Sequence, residues 1–191
     1  QAVTCVNAIE SALCVPADQK VQSQREALVL IESLREHSLR ILIDWPKFVG
    51  QEIENKELAS ISQSLNRLMQ LLEPRQLLSF DAEVKSLSTD VIAQWQNCQQ
   101  QITKIVFGMP IEDWLALNDI GLENWSEQIN TQAAGFICWL MQQQWKYAGY
   151  SDITPLPHIN DADLLSRLQT DKHRFIAQPN WHSHCYELSW F

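Results

Sequence analysis

Apolar residues recur at intervals of three and four positions through most of this chain, which is the spacing of a helix that buries one face. The clearest stripe falls within a predicted helix over residues 55–73, and Pro74 closes that helix. The members of this stripe are Leu58, Ile61, Leu65, Leu68 and Leu72. The spacing therefore predicts a mostly α-helical fold, a bundle of long helices around one core.

The same spacing predicts further helices over 2–13, 19–45, 80–107, 111–117, 122–148 and 161–169. Asp18 is the expected N-cap of the second helix, and Pro46 is expected to end it because a proline disfavours helix at the preceding residue. Asn160 or Asp161 is expected to cap the last helix. The stripe over 80–107, which Gly108 ends, places inward Val84, Leu87, Val91, Trp95, Cys98, Ile102 and Ile105. The stripe over 122–148 places a second set of residues inward, namely Trp125, Ile129, Phe136, Leu140 and Tyr147.

The composition and charge of the chain limit its class and its partners. With 46% hydrophobic and 19% charged residues, the composition is that of a globular protein, and we expect one domain over residues 1–191. The formal net charge is −9, without any cluster of lysine and arginine. Such clusters neutralise phosphates, so the charge excludes nucleic acid and anionic membranes as partners. No apolar run approaches the roughly 20 residues that cross a bilayer.

The cysteines and the motif content favour a cytoplasmic protein without catalysis. The chain has five cysteines and no C-x-x-C pair, which is typical of reduced cytosolic thiols. Cys98 and Cys138 fall on apolar stripes, where cysteine acts as a small hydrophobe. No G-x-S-x-G, P-loop, G-x-G-x-x-G or H-E-x-x-H motif is present. The chain begins at Gln1 rather than methionine, so we also expect it to be truncated or partial.

A cluster of nitrogen and sulfur ligands near the C-terminus raises the question of a metal site. The stretch "PNWHSHCYELSWF" contains His182, His184 and Cys185, and imidazole and thiolate suit zinc, nickel or copper. In a strand, His182 and His184 would face one side and Cys185 the other. Further ligands would be needed, and His158 and His173 are candidates. The alternative, which we favour, is a structured surface turn within a short extended or hairpin segment.

Two stretches resemble one protein family. Residues 8–16, "AIESALCVP", resemble the helix that follows the N-terminal cysteine motif in [NiFe]-hydrogenase large subunits. Residues 34–46, "LREHSLRILIDWP", are similar to the large-subunit-related maturation proteins of the HupK/HoxV type. The C-terminal stretch resembles the large-subunit segment "PRYEGKPMEVGPL". In the alignment with that segment, Pro179, Trp181 and Glu187 of this chain keep the character of the family's residues. Trp181 and Glu187 are therefore the candidates for a partner surface.

The resemblance implies a fold like the hydrogenase large-subunit core and a role in hydrogenase assembly. The family's metal-binding cysteine pairs are not in these residues, so it implies no cofactor in this chain beyond a transient iron–cyanide–carbonyl group. The implied function is a non-catalytic maturation scaffold that helps to deliver this group to the large subunit. The implied partners are a maturation chaperone, iron-complex assembly proteins and the immature large subunit. The alternatives are a fragment of a genuine large subunit and an unrelated helical adaptor or metal-binding module.

Overall fold

The structure is a computed structural model that describes residues 2–15, 17–80, 82, 86–147, 150, 157, 159–171, 173–178, 180–182 and 184–185. The chain divides into two compact units, Gln1–Trp145 and Lys146–Phe191, which are described separately. The expectation of one domain over residues 1–191 stays a prediction. No helix in the described part of the chain is both long and apolar enough to cross a membrane.

The first unit is built from helices, as the apolar spacing predicts. Two π-helical turns, Arg40–Asp44 and Thr103–Phe107, extend α2 and α6 at their C-terminal ends. In chain order the helices are α1 (Ala2–Ala12), α2 (Gln19–Leu39), α3 (Trp45–Phe48), α4 (Asn55–Leu71), α5 (Pro74–Leu77), α6 (Thr89–Ile102), α7 (Ile111–Leu115), α8 (Asp119–Gln128) and α9 (Gln132–Gln142).

The core of the first unit lies where α2 and α6 both pack against α4. The predicted stripe on α4 is confirmed, because Ile61, Leu65 and Leu68 are fully buried and the two end members are partly buried. Burying each such side chain stabilises the fold by roughly 1.5–3 kcal/mol before entropy is counted. The α4 stripe is therefore the centre of the hydrophobic core.

The described residues of the second unit form two helices and a very short hairpin. Helix α10 (Asp161–Asp171) is capped by Asn160, whose side-chain carbonyl accepts the N–H of Asp163 at 2.9 Å. Helix α11 (His173–Ala177) was not predicted. Strands β1 (Asn180–Trp181) and β2 (His184–Cys185) pair antiparallel. This ladder lies where the sequence predicts a short extended or hairpin segment.

The predicted end of the second helix at Pro46 is wrong. The N-cap is right, since the Asp18 carboxylate accepts the N–H of Lys20 at 2.8 Å. At the other end, however, the N–H of Trp45 donates to the carbonyl of Arg40, five residues back, and helix continues to Phe48. A proline lacks an N–H and clashes with the carbonyl four residues before it. The wider π-helical turn changes the carbonyl register before Pro46 and so accommodates its ring.

The helix predicted over 80–107 begins later than expected. Its N-cap is Ser88, whose hydroxyl accepts the N–H of Val91, and its end at Gly108 is confirmed by a left-handed φ of 64°. Leu87 and Trp95, predicted to face inward, are substantially exposed, and Val84 lies outside the described residues. These two apolar side chains therefore belong to the protein surface and not to the core.

The helix predicted over 122–148 is in fact two helices separated by an extended break at residues 129–131. The Thr131 hydroxyl accepts the N–H of Ala134 at 3.2 Å and donates to the carbonyl of Val106 at 2.9 Å. A Cβ at Gly108 would clash with Ile129, so the glycine allows the break to pack closely. Tyr147, predicted inward, lies beyond the end of α9 and is exposed. A long-range hydrogen bond thus outweighs the helical spacing.

Candidate functional site

The C-terminal hairpin separates the two histidines that stand two residues apart in the sequence, His182 and His184. Because Trp181 pairs with His184 across the ladder, the chain reverses between them, and His182 occupies the turn with a φ of 48°. The two histidines therefore do not lie in one strand, which is the arrangement that a shared strand face would need. No group of three or more His, Cys, Asp or Glu residues that could hold a metal occurs among the residues that the structure describes.

The remaining metal candidates lie outside the described part of the chain. This applies to the side chains of His184, Cys185 and His173, and to His158. The hypothesis of a metal site at the hairpin therefore stays a prediction. Glu187, one of the two partner-surface candidates, also lies outside the described residues.

Trp181, the other partner-surface candidate, is held by its own unit. Its ring lies 5.9 Å from the guanidinium carbon of Arg167 on α10 and 5.1 Å from the ring of His182. Arg167 is itself paired with Asp171 at 2.8 Å. A cation over an indole face at a partly exposed site contributes about 0.5–1 kcal/mol. Trp181 therefore helps to attach the hairpin to α10, and its role in partner binding stays a prediction.

A more extensive apolar surface lies on the first unit, in a groove between α2 and α6 that we call the α2–α6 groove. Its floor includes Leu68 and Leu72 of the α4 segment, and the groove encloses about 410 Å³. The lining residues are Ser23, Gln24, Ala27, Leu30, Ile31, Leu34, Leu68, Leu72, Leu87, Val91, Ile92 and Trp95. Ten of these twelve side chains are apolar, so the groove offers few hydrogen-bonding partners to a polar ligand.

The walls of the α2–α6 groove are open to solvent. On α2, Leu30 is 70% exposed, and on the opposite wall Leu87, Ile92 and Trp95 are 54%, 49% and 40% exposed. Scattered apolar residues are normal on protein surfaces, whereas a contiguous apolar patch marks an interaction site. The groove therefore has the character of a docking surface.

A second apolar surface surrounds α3 and α9. Trp45 stacks on Phe136 with ring centroids 4.6 Å apart, and the edge of Phe48 meets Trp139 at 5.7 Å. Trp145 extends the cluster at 5.4 Å from Trp139. Aromatic pairs in these geometries contribute about 0.5–1.5 kcal/mol beyond their burial. These rings therefore stabilise one another, while Phe48 and Trp145 also remain exposed.

Arg25 is a fully buried cation that the sequence analysis did not single out. Its two terminal nitrogens each donate to one oxygen of the Glu10 carboxylate at 2.7 Å. The other N–H groups donate to the side chain of Asn7 and to the carbonyls of Leu77 and Ser79. All five N–H donors of the guanidinium are thereby satisfied. The cluster joins α1, α2, the end of α5 and the segment that follows it, so its role is structural.

The charges in this cluster shift the acidity of Glu10. Hydrogen bonds from Arg25 are the largest influence and hold the pKa of the Glu10 carboxyl below its ordinary value of 4.5, although burial opposes them. In contrast, burial raises the pKa of the Cys98 thiol, which keeps it protonated and unreactive. Cys98 is buried as a small hydrophobe, as predicted.

We expect stability to fall in acid, in part through Glu10. Because its pKa is lower in the folded state, its contribution is present above the unfolded-state value near 4.5 and is lost as the pH falls through the folded-state value. Urea unfolding between pH 7 and pH 3 measures this loss. A Glu10→Gln variant should lose stability less steeply over the acid part of this range. An equal slope in both proteins would show that Glu10 is not the group responsible.

Comparison with known proteins found no matching family model, no matching curated protein and no matching solved structure. The functional assignment therefore depends on the geometry of the surfaces described above. Of these, the α2–α6 groove combines an apolar lining with exposed walls. It is the candidate functional site.

Proposed function

We propose that the chain is a non-catalytic scaffold in [NiFe]-hydrogenase maturation, which binds partner proteins during delivery of the iron–cyanide–carbonyl group to the large subunit. The observation that supports a scaffold is the open, apolar α2–α6 groove. The choice of pathway rests on the resemblance of two stretches. The first is residues 8–16, of which 8–12 belong to α1, and the second is residues 34–46, which run from the end of α2 through the π-helical turn into α3.

The groove suits transient assembly because its walls are already apolar and exposed before any partner arrives. Covering such surface releases roughly 25 cal/mol for each Å² of apolar area removed from water. The floor is fixed by the buried stripe of α4, so little ordering of the scaffold is needed on binding. The iron–cyanide–carbonyl group would be cargo in this proposal, and we assign no ligand for it. A cytoplasmic location and a large-subunit-like fold belong to the same proposal.

Affinity purification from cells that express a [NiFe] hydrogenase tests this function. We expect the tagged chain to recover the maturation chaperone, the iron-complex assembly proteins and the immature large subunit, as identified by mass spectrometry. The purified chain alone should show no hydrogen oxidation in a dye-reduction assay. Recovery of none of these partners, or hydrogen oxidation by the chain itself, would contradict the proposal.

A further inference from the structure

We infer that α1 is an exchange arm: two copies of the chain form a dimer in which each α1 docks on the other copy, so that Glu10 of one copy pairs with Arg25 of the other. Such an exchange, called domain swapping, reuses the contacts of the monomer and therefore needs little new interface. The inference rests on how α1 is attached and on the turn that follows it, and it is independent of the proposed function.

Helix α1 is attached to the first unit through few side chains. Of its 11 residues, only Val6 and Glu10 are buried, and Val3 and Asn7 are half-buried. The docking of α1 therefore depends largely on the Glu10 carboxylate, which accepts two hydrogen bonds of 2.7 Å from Arg25. Local opening costs little free energy where few apolar contacts are lost, so α1 can undock while the α4 core stays folded.

The turn after α1, residues 13–15, is strained while α1 is docked on its own copy, and we call it the hinge. Cys14 has a φ of 56°, a left-handed conformation that crowds a Cβ and that glycine usually occupies at the end of a helix. The N–H of Cys14 donates to the carbonyl of Ser11 at 3.1 Å, and the N–H of Val15 donates to the carbonyl of Glu10 at 3.0 Å, which closes the turn. Opening the hinge into extended chain relieves the strain, and short strained hinges favour domain swapping.

The exchanged segment carries no unpaired charge that would hold two copies apart. Glu10 is the one charged residue among residues 2–15, and it is paired in the monomer and in the exchanged dimer alike. Ile9, Leu13 and Val15, in or near the hinge, are exposed and apolar, so they can be covered where two arms cross. The formal net charge of −9 on each copy opposes association, and salt screens this repulsion. We therefore expect added salt to increase dimerisation.

Two complementary variants of the full chain test the exchange. Glu10→Met leaves Arg25 buried without its carboxylate, and Arg25→Met leaves Glu10 buried without its cation. When both chains are unfolded in urea and diluted together, exchange of α1 restores one native ion pair and forms one apolar pair in place of the other. We expect a heterodimer that is favoured at least about tenfold, or 1.4 kcal/mol, over self-association of either variant. Light scattering distinguishes it from the 22.1 kDa monomer, and native mass spectrometry with one chain isotopically labelled identifies its composition.

The double variant that combines Glu10→Met with Arg25→Met is the matched control. Mixed with the unmodified chain, it should form no favoured heterodimer, because exchange would leave two buried charges unpaired. The inference is wrong if the complementary variants form no heterodimer, or if the control mixture forms one equally well. A single variant that does not fold alone leaves the test intact, since exchange would restore its missing pair.

The hinge is tested by sedimentation of otherwise unmodified chains in reducing buffer. The monomer and the exchanged dimer make the same α1 contacts, so hinge strain shifts the balance between them. Cys14→Gly removes the strain of the closed hinge, and two hinges open in each dimer, so the association constant should fall at least about tenfold. Cys14→Ser keeps a Cβ and removes the thiol, so it should associate like the unmodified chain.

Three sedimentation results would overturn the inference. One is the absence of a dimer of the unmodified chain up to about 1 mM in added salt. Another is equal association of the Cys14→Gly and Cys14→Ser variants. The third is a dimer that Leu30→Asp disrupts and Cys14→Gly does not, which would place the contact in the α2–α6 groove instead.

Discussion

Leu65→Asp is expected to unfold the first unit. Leu65 is 1% exposed and lies at the centre of the α4 stripe, between the buried Ile61 and Leu68. The change removes the burial of a leucine and places a carboxylate among the apolar side chains of the core. Together these effects exceed about 4 kcal/mol, which is comparable with the whole free energy of unfolding of a small domain.

Circular dichroism and urea unfolding measure this effect. The Leu65→Asp chain should lose most of its helical signal, while Leu115→Asp, the same chemical change at an exposed site, should unfold at the same urea concentration as the unmodified chain. Leu65→Ala provides a folded variant that can be measured, with an expected loss of about 2–5 kcal/mol. A Leu65→Asp chain as stable as the control would contradict the helix faces assigned to α4.

Arg25→Met is expected to destabilise the first unit by about 3–5 kcal/mol, because it leaves the buried Glu10 carboxylate without its cation. The carbonyls of Leu77 and Ser79 lose their donor in the same step. In the unfolded chain, water solvates the Glu10 carboxylate. The free-energy cost of the unpaired charge therefore arises in the folded state. Urea unfolding at neutral pH, where Glu10 is ionised, gives the change directly.

A double variant separates the cost of the unpaired charge from that of the lost packing. Glu10→Met combined with Arg25→Met removes both charges, and a buried ion pair replaced by apolar residues of similar volume is often neutral in stability. We therefore expect the double variant to be more stable than Arg25→Met alone. If it is less stable by the sum of the two single changes, the ion pair contributes no coupling energy.

The sequence could predict part of the candidate site but not its exposure. The spacing correctly shows that Leu87 and Trp95 belong to an apolar row with Val91. It assigns all three to the core, whereas only Val91 is buried. Periodicity identifies an apolar face but does not say whether another element of the chain covers it. The histidines of the C-terminal stretch suggested a metal site more directly than any residue suggested the groove. The hairpin turn nevertheless separates His182 from His184.

The sequence by itself determined the helical class and several helix ends, because these depend on neighbours within a turn or two. Asp18 and Asn160 cap helices through N–H groups two and three residues away, and Gly108 ends a helix through its own backbone freedom. In each case, the interacting groups lie close together along the chain, so the local pattern is sufficient.

The tertiary structure decided the features that join distant parts of the chain. Arg25 finds Glu10 fifteen residues away and the carbonyl of Leu77 fifty-two residues away, and Thr131 breaks a helix by reaching Val106. The open α2–α6 groove likewise depends on how two helices pack on a third. Such partners are brought together only by folding, because no local spacing encodes which buried donor will meet which acceptor.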